Sequence, residues 1–176
     1  MAKIKIGIVG CGGIANGKHF PALKNFTDRM EIVAFCDIVP ERAEKAAAEF
    51  GSTAKVYTDY RELIANPEVE VVYVLTPNVS HCEITVCAFE AGKHVFCEKP
   101  LGTDVAQCKA AEKVIEAHPD LIFQLGFMRR FDPDYIKMKK ILDSGELGAP
   151  LMAHCISRTR SHPKNHTTEQ HITNIA

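Results

Sequence analysis

Three observations predict a doubly wound α/β fold with a parallel sheet: an opening apolar strand pattern that breaks into glycines, an acid closing the second apolar run, and a strand–helix alternation reaching about residue 126. The opening run is Lys3-Ile4-Lys5-Ile6-Gly7-Ile8-Val9-Gly10-Cys11-Gly12-Gly13-Ile14-Ala15. Gly10, Gly12 and Ala15 fall at the three small-residue positions of G-x-G-x-x-[G/A]. Such a loop turns tightly at its first glycine. It lets a pyrophosphate approach the backbone at its second, and lets helix and strand pack closely at its third. Gly13 and Ile14 then open a helix, whose free N–H groups and dipole favour negative charge. The run Glu31-Ile32-Val33-Ala34-Phe35-Cys36-Asp37 ends in an acid where this fingerprint expects one for the adenosine ribose hydroxyls. Asp37 alone would read as a turn residue before Pro40; at this distance from the glycines it reads as part of a dinucleotide site.

The remaining elements follow in order. Residues 41–50 are rich in Ala, Glu and Lys and predict a helix stopped by Gly51. Residues 54–57 form a short strand. Thr58 or Asp59 caps a helix reaching about Ala65, broken by Asn66-Pro67. Residues 69–75 are nearly all apolar and β-branched, as in a central parallel strand buried on both faces. Thr76-Pro77-Asn78 ends that strand, and residues 80–91 read as a helix with Gly92 at its C-terminus. Residues 94–97 are a strand running into Glu98-Lys99-Pro100. Thr103 or Asp104 caps a helix to about Ala117, and residues 121–125 form a last strand. After Phe127 the rhythm changes. Residues 134–142 read as a helix and 150–158 as the first strand of a new sheet, while 157–176 are polar with no convincing period. Two domains are expected: 1–126, complete, and 127–176, begun but unfinished.

Composition narrows the function classes. The chain has 176 residues, 46% hydrophobic and 24% charged, with a formal net charge of −1. Nothing in that balance attracts nucleic acid or an anionic membrane, and no apolar run approaches the roughly 20 residues that span a bilayer. The chain enters a strand pattern at once, so no secretory leader is expected. Its seven cysteines are scattered without C-x-x-C spacing, which fits free thiols in a reducing cytoplasm. His154, Cys155, His162, His166 and His171 invite a metal-site reading. Pro163 interrupts the helix that would align two of them, and no carboxylate has matching spacing, so no metal is expected.

Ligands bind an open α/β sheet at the C-terminal ends of its strands. Those ends carry Gly10–Ala15, Asp37, Thr76-Pro77-Asn78 with His81, and Glu98-Lys99-Pro100. This set resembles the Gfo/Idh/MocA family of NAD(P)-dependent oxidoreductases, especially its inositol 2-dehydrogenase-like members, over the whole chain. Glu98-Lys99-Pro100 is the most specific piece; His19-Phe20-Pro21-Ala22-Leu23 and Ala91-Gly92-Lys93-His94-Val95 are also similar. The resemblance implies that Lys99 lies beside a nicotinamide and polarises the reacting oxygen, that Glu98 helps hold the ribose, and that Pro100 follows a cis peptide. It implies that Thr76, Pro77 and Asn78 line the cofactor cleft, with Asn78 near the nicotinamide ribose. A helix-start histidine such as His81 serves equally as a cofactor neighbour or as a capping or packing residue, and both readings stay open. Family members also carry an Asp and a His four residues apart on a later helix; Asn174 occupies the Asp position, and the His would fall past Ala176. Full-length members are about twice this size, so the chain reads as a fragment.

The expected activity is hydride transfer between a cyclic polyol or sugar hydroxyl and NAD, the full-length protein being a homo-oligomer. NAD is expected over NADP because Asp37 would repel a 2′-phosphate and no Arg stands at 38 or 39. The alternatives are a nucleotide-sensing regulator without turnover, or an NAD-dependent glycosidase; the intact Glu98-Lys99-Pro100 favours catalysis. The isolated chain is expected to bind NAD with negligible polyol oxidation, and the segment after about Ser157 to be mobile with an exposed sheet edge.

Overall fold

The computed structural model describes residues 2–50 and 53–156. It divides into two compact units, separated between Gly126 and Phe127. The first is built on six parallel strands: β1 (Ile4–Val9), β2 (Met30–Cys36), β3 (Lys55–Tyr57), β4 (Val71–Val74), β5 (His94–Cys97) and β6 (Phe123–Leu125). Their order in the sheet is β3-β2-β1-β4-β5-β6. The chain winds outward from β1 in one direction, then returns to place β4 on its other side. The switch point lies between β1 and β4, where Val9 faces Val74 across the ladder. A parallel pair requires a crossover connection, and right-handed crossovers in both directions put helices on both faces.

The helices of this unit are α1 (Phe20–Leu23), α2 (Pro40–Glu49), α3 (Tyr60–Ala65), α4 (His81–Glu90) and α5 (Val105–Glu116). Alternation along β1 divides the core. Ile6 and Ile8 face Phe20, Leu23 and the alanines Ala43, Ala46 and Ala47 of α2. Val9, with Val72, Val74, Val95 and Cys97, faces Leu63, Ile84, Ala88 and Phe89 on the other side. On the first face Phe20, Phe35 and Phe50 form a ring cluster with centroids 5.4–5.9 Å apart. The caps are local. Asp59 accepts from the Arg61 N–H, and Asp104 accepts from the N–H groups of Ala106 and Gln107. In each case the residue directly before the helix does the capping, rather than the threonine one place earlier.

The helix opened by the glycine loop is irregular. Ala15–His19 forms a π-turn in which the Phe20 N–H donates to the Ala15 carbonyl, and α1 lasts a single turn before the 3-10 turn Lys24–Phe26. Pro21 has no N–H to donate, so the ordinary i→i−4 ladder is interrupted there. Two pieces of the recognised sequence pattern prove structural. The Lys93 ammonium donates to the carbonyls of Val69 (2.7 Å) and Asn66 (3.1 Å), and burial lowers its pKa. His94 Nδ1 accepts the Ile122 N–H, tying β5 to the start of β6.

In the second unit, α6 (Pro133–Asp143) is capped by Asp132, which accepts from the Asp134 N–H. The strand expected over 150–158 is not formed: residues 151–156 carry no regular structure. A strand is held by a partner's backbone, and none of the described residues supplies one. Gly51, the polar stretch after Ser157 with its expected mobility and exposed edge, and Asn174 lie outside the described residues, as do His162, His166 and His171. Among the described residues no helix is long and apolar enough to cross a membrane, and no group of three or more His, Cys, Asp or Glu could hold a metal ion. All seven cysteines are free. Burial pushes the thiols of Cys11, Cys36 and Cys97 up to about 12, so they pack as small apolar side chains.

Candidate functional site

The C-terminal ends of β2, β1, β4 and β5 line one rim of the sheet in that spatial order. They carry Asp37, Gly10, Thr76 and Glu98 respectively. Three strand intervals separate the first from the last, about 14 Å. A cavity of about 560 Å³ opens along part of this rim, lined by Gly12, Gly13, Ile14, Asp37, Arg42 and Thr76 among others.

The glycine loop is fixed by the strand beside it. Gly10 has φ +99°, donates its N–H to the Cys36 carbonyl at 2.8 Å, and comes so close to β4 that a Cβ there would lie 2.7 Å from the Leu75 carbonyl. Only glycine meets both conditions. Gly12 and Gly13 differ: an added Cβ would find no protein atom within 4 Å. The fold makes no demand for glycine there, and the space they leave faces the cavity. Ala15 is fully buried, as close helix–strand packing requires. Ile14 is exposed at the opening of the helical turn, where the first N–H groups have no intrahelical partner. Asn16, which carried no role in the sequence reading, braces the loop. Its Nδ2 donates to the carbonyls of Cys11 (2.7 Å) and Gly12 (2.8 Å).

Asp37 makes the turn that the sequence allowed and also ties that turn to the glycine loop. Its Oδ1 accepts the Val39 N–H (2.9 Å), making the turn before Pro40, and its Oδ2 accepts the Cys11 N–H (2.9 Å) from the glycine loop. A carboxylate has about four lone-pair sites, so two remain. Arg42 Nη1 lies 3.7 Å from Oδ1. Positions 38 and 39 indeed hold no arginine, but the first turn of α2 brings one from position 42 to the same carboxylate. The signal was an arginine early in a helix that starts beside the acid.

His81 packs inside the protein. It is 1% exposed, with Nδ1 2.6 Å from the Pro100 carbonyl oxygen and Nε2 2.8 Å from that of Thr76. Both ring nitrogens lie against backbone carbonyls inside the protein, which favours the packing reading of the two left open. The ring joins the β4 loop to the β5 loop. Thr76 Oγ1 accepts from Ser80 Oγ (2.8 Å). Pro77 is exposed, and Asn78 is half-buried at the start of the 3-10 turn Asn78–Ser80.

At the β5 end, Glu98 Oε2 accepts the Lys99 N–H (3.1 Å) and Oε1 lies 2.9 Å from His19 Nε2. The Lys99–Pro100 peptide is cis, as the resemblance implied. Lys99 is exposed, and among the described residues its ammonium has no ion-pair partner. The walls of this unit leave its side chain open to solvent.

The family model described as an oxidoreductase family with an NAD-binding Rossmann fold matches residues 4–127. The chain belongs to the Gfo/Idh/MocA family. Among its relatives is the inositol 2-dehydrogenase of Salmonella paratyphi B, 43% identical over 151 residues, covering 86% of this chain and 45% of that protein. The inositol 2-dehydrogenase/D-chiro-inositol 3-dehydrogenase of Lactiplantibacillus plantarum is 39% identical over 175 residues, covering 98% of this chain and 49% of that protein. Among solved structures, the myo-inositol dehydrogenase of Lactobacillus casei in complex with NAD(H) and myo-inositol superposes with a TM-score of 0.81 at 34% identity. It covers 85% of this chain and 44% of that one. This member of the family thus spans about half the length of the relatives it matches. The rim from Asp37 to Glu98 falls inside the matched 4–127 segment.

Proposed function

We propose that this chain is the nucleotide-binding part of an NAD-dependent dehydrogenase that oxidises a ring hydroxyl of a cyclic polyol of the inositol type. The observation that carries the reading is the order of groups along one rim: a carboxylate, a glycine loop with open space at Gly12 and Gly13, a Thr-Pro-Asn turn, and a Glu-Lys pair. Their ~14 Å span suits a dinucleotide lying extended across strand ends. Asp37 would receive the adenosine ribose on its remaining lone pairs. The N–H groups at Gly12, Gly13 and Ile14 would receive the pyrophosphate. Thr76, Pro77 and Asn78 would flank the nicotinamide ribose, and Glu98 would receive its hydroxyls.

When bound, the nicotinamide supplies the hydride acceptor. The chain's own part is to orient the reacting alcohol and move its proton. Hydride leaves a carbinol carbon only as the hydroxyl proton departs, and Lys99 Nζ, entering as the neutral amine, would accept that proton and become the ammonium that hydrogen-bonds the product oxygen. Asn174, where the family has Asp, would bind a substrate hydroxyl through its amide without carrying charge. The Asp37 charge disfavours a 2′-phosphate and supports NAD; Arg42 offsets part of that charge. Free thiols throughout suit a reducing cytoplasm, and we infer a homo-oligomer for the full-length protein.

Two measurements test this. Titrating the chain with NADH should give saturable binding, and its absence would overturn the nucleotide reading. A chimera in which residues 1–150 replace the matching half of the Lactiplantibacillus plantarum enzyme should reduce NAD in the presence of myo-inositol. A folded, NAD-binding chimera inert toward every inositol would overturn the substrate class.

A further inference from the structure

We propose that His19 is a positioning residue: its ring sets the Glu98 carboxylate at the nicotinamide end of the rim and couples that end to the glycine loop. The proposal rests on the nucleotide reading above. His19 ends the π-turn that grows out of the glycine loop, while Glu98 follows β5, 79 residues later in the chain. The side chains are 13% and 17% exposed, and His19 Nε2 lies 2.9 Å from Glu98 Oε1.

The ring has little freedom. It stands edge-on to Phe96 (centroids 5.4 Å apart) and to Tyr73 (6.3 Å), which are themselves stacked at 4.8 Å. A packed ring presents its nitrogen in one direction, so the carboxylate it holds is also fixed. Among the described residues Glu98 then has one donor on each oxygen: the His19 ring on Oε1 and the Lys99 N–H on Oε2. With about four lone-pair sites on a carboxylate, each oxygen keeps one free. Two acceptors held side by side suit a vicinal pair of ribose hydroxyls. Without His19, Oε1 would lose its only donor among the described residues and the side chain could rotate away, so that ordering it would be charged against binding. The same contact links the helical run that receives the pyrophosphate to the loop carrying Lys99, two regions with no local sequence relation.

A purely structural tie would make a different prediction, and ligand length separates the two. ADP reaches the Asp37 end and the glycine loop but stops short of Glu98; NAD reaches all three. Calorimetric titration of the chain with each is the experiment. His19→Phe keeps a ring against Phe96 and Tyr73 but removes the donor, and should weaken NAD on the order of tenfold while leaving ADP unchanged. His19→Gln restores a donor near the Nε2 position and should recover most of that loss. In a Glu98→Gln background, His19→Phe should add little. Unchanged NAD affinity in His19→Phe would overturn the proposal. So would equal weakening of NAD and ADP, or full additivity with Glu98→Gln. If the unsubstituted chain binds neither ligand, the nucleotide reading fails and this inference falls with it; if it binds both and His19→Phe does likewise, the inference alone fails.

Discussion

Substituting alanine at Gly10 and at Gly12 separates two reasons for a glycine. At position 10 the backbone lies at φ +99°, where an L side chain costs about 1–2 kcal/mol. The new methyl would also sit 2.7 Å from the Leu75 carbonyl carbon and oxygen and 2.8 Å from the Thr76 nitrogen. These are backbone atoms of the strand end opposite, with no flexible side chain to swing aside. Forced overlap of this kind adds about 1–3 kcal/mol. Gly10→Ala should therefore lose roughly 2–5 kcal/mol, which for a chain of this size lowers Tm on the order of 10 °C. Gly12 has no left-handed φ and open space around its Cβ position, so Gly12→Ala should stay within about 0.5 kcal/mol of the parent. Its methyl would instead occupy the open space proposed for the pyrophosphate, and on that reading NADH affinity should fall. Thermal unfolding by circular dichroism and NADH titration on the same preparations read both quantities. If Gly12→Ala melts as low as Gly10→Ala, or Gly10→Ala melts with the parent, the distinction drawn from the Cβ geometry is wrong.

Asp37→Ala should erode the preference for NAD over NADP by about 1–3 kcal/mol, measured as the ratio of the two dissociation constants; a ratio that does not move would remove Asp37 from the ribose site. His81→Leu leaves the carbonyls of Thr76 and Pro100 without their buried partner and should cost about 2–5 kcal/mol, whereas Lys99→Ala, at an exposed position, should melt with the parent. Thiol alkylation followed by mass spectrometry should mark the exposed Cys155 first and leave Cys11, Cys36 and Cys97 untouched in the folded chain; early labelling of those three would contradict their burial. Because burial raises these three thiols from 9.0 to about 12, the folded state holds protons that the unfolded chain releases. Their contribution to stability should be complete below pH 9 and decline as pH rises from 9 toward 12, and a flat denaturant midpoint across that window would refute it.

What could be read in the sequence was what is local. The glycine loop after β1, the acid after β2, the apolar run of β4 and the helix stops each lie within a few residues of their cause. The doubly wound parallel sheet was accessible because strands alternating with helices need crossover connections. The contacts that assemble the rim were not accessible. His19 meets Glu98 across 79 residues, Cys11 meets Asp37 across 26, and His81 reaches Pro100 across 19. No periodicity encodes such pairings, so His81 stayed ambiguous and Asn16 and Arg42 went unremarked. The irregular α1 had a visible cause in Pro21 that the amphipathic pattern concealed. The expected strand near 150 shows the converse error: alternation states a preference, but a strand exists only where another backbone completes it.

The double engagement of Asp37 constrains how such a site can change. The carboxylate proposed to select the cofactor also anchors the Cys11 N–H, and through it the loop that Gly10 and Asn16 hold in shape. On the proposed reading, recognition and architecture share one side chain. A substitution that relaxes selectivity at Asp37 would then also loosen the glycine loop, and a change of cofactor would need a second replacement to re-anchor Cys11. Arg42, already in place beside that carboxylate, offers the shorter route: adjusting charge there alters the field at the 2′ position while the hydrogen bonds that shape the loop stay intact.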